Sequence, residues 1–87
     1  MDYYRIKWTS SSLKELRKLP GPIIQRIIKK VEDLSQNPFP NKVRKLAGSK
    51  NLYRIRLQDY RVIYRIEEDV LVIVIIKVGH RKDVYKK

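Results

Sequence analysis

Through much of the second half of the chain, apolar and polar positions alternate with a period of two. In Tyr53-Arg54-Ile55-Arg56-Leu57 the residues between the apolar ones are arginines, the pattern of a half-buried strand. Gln58-Asp59 interrupts it. Tyr60 to Ile66 resumes it, with Tyr60, Val62, Tyr64 and Ile66 on one face and Arg61 and Arg65 on the other. A second polar turn, Glu67-Glu68-Asp69, leads into Val70 to Ile76, an unbroken, mostly β-branched run of the kind found in strands covered on both faces. Two short connections between three strands predict an antiparallel meander. Arg54, Arg56 and Arg61 then lie on adjacent strands and converge on one surface. Beyond the third strand, Gly79-His80-Arg81 reads as a turn, followed by Tyr85.

The first half changes period. Tyr3 to Trp8 alternates Tyr4, Ile6 and Trp8 against Tyr3, Arg5 and Lys7, predicting a strand with one basic face. Ser12 and Glu15 have the S-x-x-E spacing of a capping box, opening a short helix that carries Leu13, Leu16 and Leu19 inward and stops before Pro20-Gly21. Pro22 suits the first position of a second helix. There Ile24, Ile27, Ile28, Val31 and Leu34 repeat on one helical face, and Arg26, Lys29 and Lys30 lie toward solvent. Asn37-Pro38-Phe39-Pro40 ends it, and Asn41 to Asn51 reads as an irregular basic loop. The fold class is therefore α+β. A mostly antiparallel sheet, the N-terminal strand plus the C-terminal three-strand meander, carries the helical hairpin on one face. The other face stays partly open for the arginines. With 87 residues the expectation is a single domain spanning 1–87 with one modest core.

Charge sharpens the picture. Twenty-one basic residues against 9 acidic ones give a formal net charge of +12, an excess that favours a polyanionic partner. A membrane ranks low, since no apolar stretch is long enough to span. Met1-Asp2-Tyr3-Tyr4 leads directly into a strand pattern rather than a secretory signal, and cysteine is absent. Disulfides and thiolate metal ligands are thereby excluded, and the expected location is cytoplasmic. Glu67-Glu68-Asp69 reads as a solvated turn rather than a metal site, so neither metal nor cofactor is expected.

The order of elements, the Leu46-Ala47-Gly48 turn before YRIRL, the DYRVIYRI strand and the closing VGHRKDVY together resemble the RelE/ParE toxin superfamily, most closely its RelE branch. The second half carries the specific part; the helical half is compatible. The resemblance implies a ribosome-dependent mRNA endonuclease neutralised by a cognate RelB-like antitoxin, a small acidic chain with an amphipathic helix. It also implies site residues. The family's basic catalytic pair falls on Arg54 and Arg56, its next arginines on Arg61 and Arg81, and its base-stacking terminal tyrosine on Tyr85. Two departures from the pattern stand out. Lysines stand in the best-studied branch where this chain has Arg54 and Arg56, and one of them is thought to act as base; arginine does not readily lose a proton. His80 stands where some relatives have lysine or arginine.

Metal-free RNA cleavage proceeds by attack of a 2′-hydroxyl on the adjacent phosphate. It requires a proton acceptor, cations for the charge-rich phosphorane and a donor to the departing 5′-oxygen. Guanidinium groups suit the cationic task. Arg61 and Arg81 are the candidates, with Arg54 and Arg56 positioning the backbone. His80 is the chain's one histidine and the side-chain type that titrates near neutrality, so it is a candidate base or acid, or alternatively a strand-end residue. Tyr85 either stacks on a base or anchors the chain's end. Lys42, Arg44, Lys45 and Lys50, with the helix cations, form a diffuse surface suited to ribosomal RNA. Two rival readings stay open: a ParE-like inhibitor of DNA gyrase, and a nucleic-acid-binding module that cuts nothing.

Overall fold

In a computed structural model that describes residues 3–84, the elements run β1 (Arg5–Trp8), α1 (Ser10–Arg17), α2 (Gly21–Leu34), β2 (Arg44–Lys45), β3 (Leu52–Leu57), β4 (Tyr60–Glu67), β5 (Val72–His80) and a final turn of helix, α3 (Arg81–Val84). The sheet has five strands in the order β1-β5-β4-β3-β2. The expected meander is present as β3-β4-β5, with both pairs antiparallel. β1 joins it parallel to β5, Ile6 opposite Ile73 and Trp8 opposite Ile75. The sheet is thus mostly antiparallel, with one parallel pair at its edge.

Helix α2 turns Ile27, Val31 and Leu34 onto one face of this sheet, and α1 adds Leu16. They meet Ile55, Val62, Tyr64, Ile66, Ile73, Ile75 and Val78 in one buried cluster. Tyr64 is its largest member and fully buried. Its hydroxyl donates to the Pro38 carbonyl at 2.9 Å, which satisfies a polar atom that would otherwise be costly inside. Burial pushes the Tyr64 phenol well above its ordinary pKa, with the nearby Tyr53 hydroxyl a second cause.

Several local expectations are corrected. The first helix starts at Ser10, capped by Thr9, whose hydroxyl accepts from the Ser12 amide at 3.1 Å. The S-x-x-E signal is overridden because Ser12 lies fully buried inside the helix and donates to the Thr9 carbonyl. Glu15, freed from capping, reaches across to accept the Val78 amide at 3.0 Å. That bond matters for the sheet. β1 runs beside β5 only as far as Ile75, and Glu15 takes up an edge donor beyond that point. Thr9 closes the junction, its amide and hydroxyl both donating to the Ile75 carbonyl.

The basic loop is not wholly irregular, since Arg44 and Lys45 form a two-residue edge strand against Arg54 and Tyr53. The last strand begins at Val72 rather than Val70. Val70 is exposed and Leu71 adopts a φ of 55° in the turn. Gly79 and His80 belong to β5 rather than to a turn. Ile28, expected on the buried face, is 37% exposed. Among the described residues, no helix is long and apolar enough to cross a membrane.

Candidate nucleic-acid interface

Strand register decides which of the basic residues meet. Ile55 pairs with Val62, and both point into the core. Their neighbours point away from it, so Arg56 lies directly opposite Arg61 and Arg54 opposite Ile63. On the other side of β3, Arg44 lies opposite Arg54. Like charges placed directly across a sheet are destabilising, and this sheet contains two such arginine pairs. Core packing has no need of that arrangement.

Because β2 covers β3 only at Tyr53 and Arg54, the edge of β3 beyond that point is uncovered. A groove of about 570 Å³ wraps around it. It is lined by Arg54, Ile55, Arg56, Gln58 and Arg61, by Asn41 and Lys42 from the loop, by Arg44 from β2 and by Lys30 from α2. Six of these nine described residues are Lys or Arg, and none is acidic. The turn at its end fixes two of the guanidinium groups. Arg56 Nε donates to the Gln58 carbonyl at 3.0 Å, and Arg61 donates to the same oxygen at 3.3 Å and to the Tyr60 carbonyl at 3.2 Å. Gln58 itself has a φ of 55°, a region that non-glycine residues seldom enter. Unfavourable backbone conformations of this kind concentrate at functional sites. The same turn receives the end of β5, as the Arg81 amide donates to the Asp59 carbonyl at 2.7 Å. Arg81 thus starts beside the turn that orients Arg56 and Arg61.

Of the residues singled out in the sequence, Arg54, Arg56, Arg61, Lys42 and Arg44 line this groove. Lys45 is exposed on the outer strand, and Lys50 lies at a separate concavity lined also by Glu67, Glu68 and Asp69. Tyr85 lies outside the described residues. His80 is carried to the other face. It pairs with Tyr60, and the two rings meet edge-on at 5.6 Å. The cause is an irregularity in β5: Ile63 pairs with Lys77 but Tyr64 pairs with Ile75, leaving Ile76 as an extra residue. One added residue reverses the parity of all that follows. Val78 and His80 consequently face the helices, and Gly79 lies opposite Arg61. His80 Nδ1 accepts the Lys82 amide at 3.2 Å. Two groove residues were not placed by sequence reasoning. Lys30 was read as part of a diffuse surface and Asn41 only as the start of the basic loop; only the approach of α2 and the loop to the β3 edge identifies them.

Comparison with known proteins bears on the fold and the family. A family model described as the ParE toxin of type II toxin-antitoxin systems matches residues 6–85. A toxin named RelG from Mycobacterium tuberculosis is 33% identical, the match covering 97% of this chain and 98% of that one. The mRNA interferase toxin RelE of Escherichia coli K12 is 30% identical, with 91% and 84% covered. Among solved structures, the RelE-RelB complex of the archaeon Pyrococcus horikoshii superposes with a TM-score of 0.82 at 36% identity, covering 93% of this chain and 98% of that one. The chain belongs to the RelE/ParE superfamily of toxins from type II toxin–antitoxin systems.

Proposed function

We propose that this toxin is an endoribonuclease that cuts messenger RNA held on the ribosome, by metal-independent attack of a 2′-hydroxyl on the adjacent phosphate. The observation that carries the reading is the groove at the β3 edge, with its cations from α2, β2, β3, β4 and the loop before β2, and its two guanidinium groups oriented by the Gln58 carbonyl. Such a groove binds phosphates and stabilises the charge that develops on a phosphorane. Arg61 and Arg81 serve that charge, and Arg54 and Arg56 hold the backbone on either side. Stacking of Tyr85 on a base splays the strand toward in-line geometry.

Proton transfer is the step the groove is least equipped for. Its cations are chiefly arginines, which stay protonated at any working pH, and the His80 ring lies on the far side of the sheet against Tyr60. A message locked by the ribosome into reactive geometry lowers the demand on an enzymic base, because positioning alone supplies a large part of such a barrier. This is why the activity is assigned to ribosome-bound message. The natural partner is a RelB-like antitoxin, by analogy with the RelE-RelB complex of Pyrococcus horikoshii; the charge of this chain calls for a small acidic one, and the site of action is the cytoplasm. Expression of the chain alone should arrest growth and translation, with transcripts cut only where ribosomes sit. Arrest with intact transcripts and blocked supercoiling would instead support inhibition of gyrase, the rival reading suggested by the ParE designation of the family.

A further inference from the structure

Phe39 is the chain's only phenylalanine, and 44% of it is exposed. Its surroundings hold it in place. Pro38 and Pro40 flank it and restrict the backbone on both sides. The fully buried Tyr64 fastens the Pro38 carbonyl, and the Phe39 amide donates to Asn37 Oδ1 at 3.2 Å. The ring meets Tyr53 edge-on, with centroids 5.3 Å apart, and Tyr53 stacks in turn on Tyr64 at 6.1 Å. An aromatic column thus rises from the core and ends in an exposed ring.

The end of that column adjoins the basic groove. Asn41, two residues beyond Phe39, lines it, a span of at most about 7 Å along the chain. Lys42 lines it too; Tyr53 itself borders the neighbouring concavity of Glu67, Glu68 and Asp69, so it is through Asn41 and Lys42, rather than through β3, that Phe39 meets the groove. A rigid, half-exposed aromatic ring beside a row of phosphate-binding cations matches single-stranded nucleic acid, whose bases stack on aromatic faces while the groove follows the backbone.

We infer that Phe39 is a base-stacking platform, taking a nucleobase of a single-stranded RNA whose phosphates lie in the groove along β3. The inference rests on the RNA-directed reading of the groove, but it concerns binding and requires no cleavage. A preordered ring costs little entropy on binding, and it would set the path of the strand at the end of the groove opposite to the Gln58 turn.

The test uses the full-length chain and a short single-stranded RNA carrying 5-iodouridine, with affinity followed by fluorescence anisotropy at several salt concentrations. Phe39→Leu keeps apolar bulk and removes the π-face; it should weaken binding about 5- to 150-fold, the range of a lost aromatic stack. The factor should be equal at every salt concentration, because no phosphate contact is lost. Phe39→Tyr should bind within about threefold of the native chain. Lys42→Gln should behave differently and reduce the salt slope by about 1. Irradiation should join the native chain to the RNA at Phe39. Unchanged affinity in a folded Phe39→Leu chain, absence of the crosslink, or a native chain that binds no RNA would each overturn the inference. Cleavage on ribosomes, assayed separately, tests the nuclease reading. A chain that cuts ribosome-bound message but is indifferent to Phe39→Leu refutes only the platform, and one that shows the stacking effect but never cuts refutes only the nuclease.

Discussion

Replacing Arg61 with glutamine should separate activity from stability. Arg61 faces Arg56 across the β3–β4 ladder, so removing its charge relieves a repulsion of roughly 0.2–1 kcal/mol, by the measure of directly opposed pairs. Against that stand its donations to the carbonyls of Gln58 and Tyr60. Such bonds contribute about 0.5–1.5 kcal/mol each. Gln58 is exposed, however, so water can replace the donor there, and the glutamine amide can donate in its turn. The terms nearly cancel, and the net change should lie within about 1 kcal/mol of zero, a shift of no more than roughly 4–8 °C in melting temperature for a domain of this size. Catalysis has no such compensation. Loss of one cation from the transition state should cost about 10²–10³-fold in the cleavage step, by analogy with a single oxyanion donor. The assay pairs urea denaturation at low and high salt with single-turnover cleavage on programmed ribosomes. Any gain in stability should shrink as salt screens the Arg56–Arg61 repulsion. A variant destabilised by more than about 2 kcal/mol, or a folded one that cuts at close to the native rate, would refute the reasoning.

Arg81→Ala should also lose most cleavage while remaining folded, since its exposed side chain adds little to the core; normal cleavage by a folded variant would remove it from the site. His80→Ala should leave single-turnover rate and pH profile nearly unchanged if the Tyr60 contact is its main role, whereas a lost inflection in the profile would restore it as a proton carrier. Glu15→Ala should lower stability by about 1.5–3 kcal/mol, the worth of a hydrogen bond to a charged group, because the Val78 edge amide loses its acceptor. Glu15→Gln, which keeps an acceptor, should cost less in the same urea titration. Affinity for the antitoxin should fall steeply as salt rises, given a formal charge of +12 on the toxin; titration calorimetry showing no salt dependence would count against charge as its main determinant.

The meander and its arginine face were legible because they rest on local signals, an alternation of period two and two short polar breaks. What the sequence concealed depends on contacts between distant residues. β1 pairs parallel with β5 across almost the whole chain, and no local pattern announces a parallel edge. The two residues of β2 are too few to show a period. Val70 and Leu71 look like strand because the apolar run has no punctuation at its start; only the positive φ at Leu71 shows that the turn lasts longer. The capping box at Ser12 was a true local preference that lost to a better cap, Thr9, bonded at the same time to β5. The face taken by His80 hangs on one extra residue, Ile76, in a run of apolar residues that gives no hint of it. Arg54, Arg56 and Arg61 were correctly grouped, whereas Lys30 and Asn41 required the tertiary fold.

The most direct test of the central claim is to mix the purified chain with one labelled message, either naked or paused on ribosomes, and to identify the ends of the product by mass spectrometry. Rapid cutting of the ribosome-bound message alone is expected, leaving a 2′,3′-cyclic or 3′-phosphate upstream and a 5′-hydroxyl downstream, the ends that 2′-hydroxyl attack must produce. Equal cutting of naked RNA, or an upstream fragment ending in a 3′-hydroxyl, would contradict it.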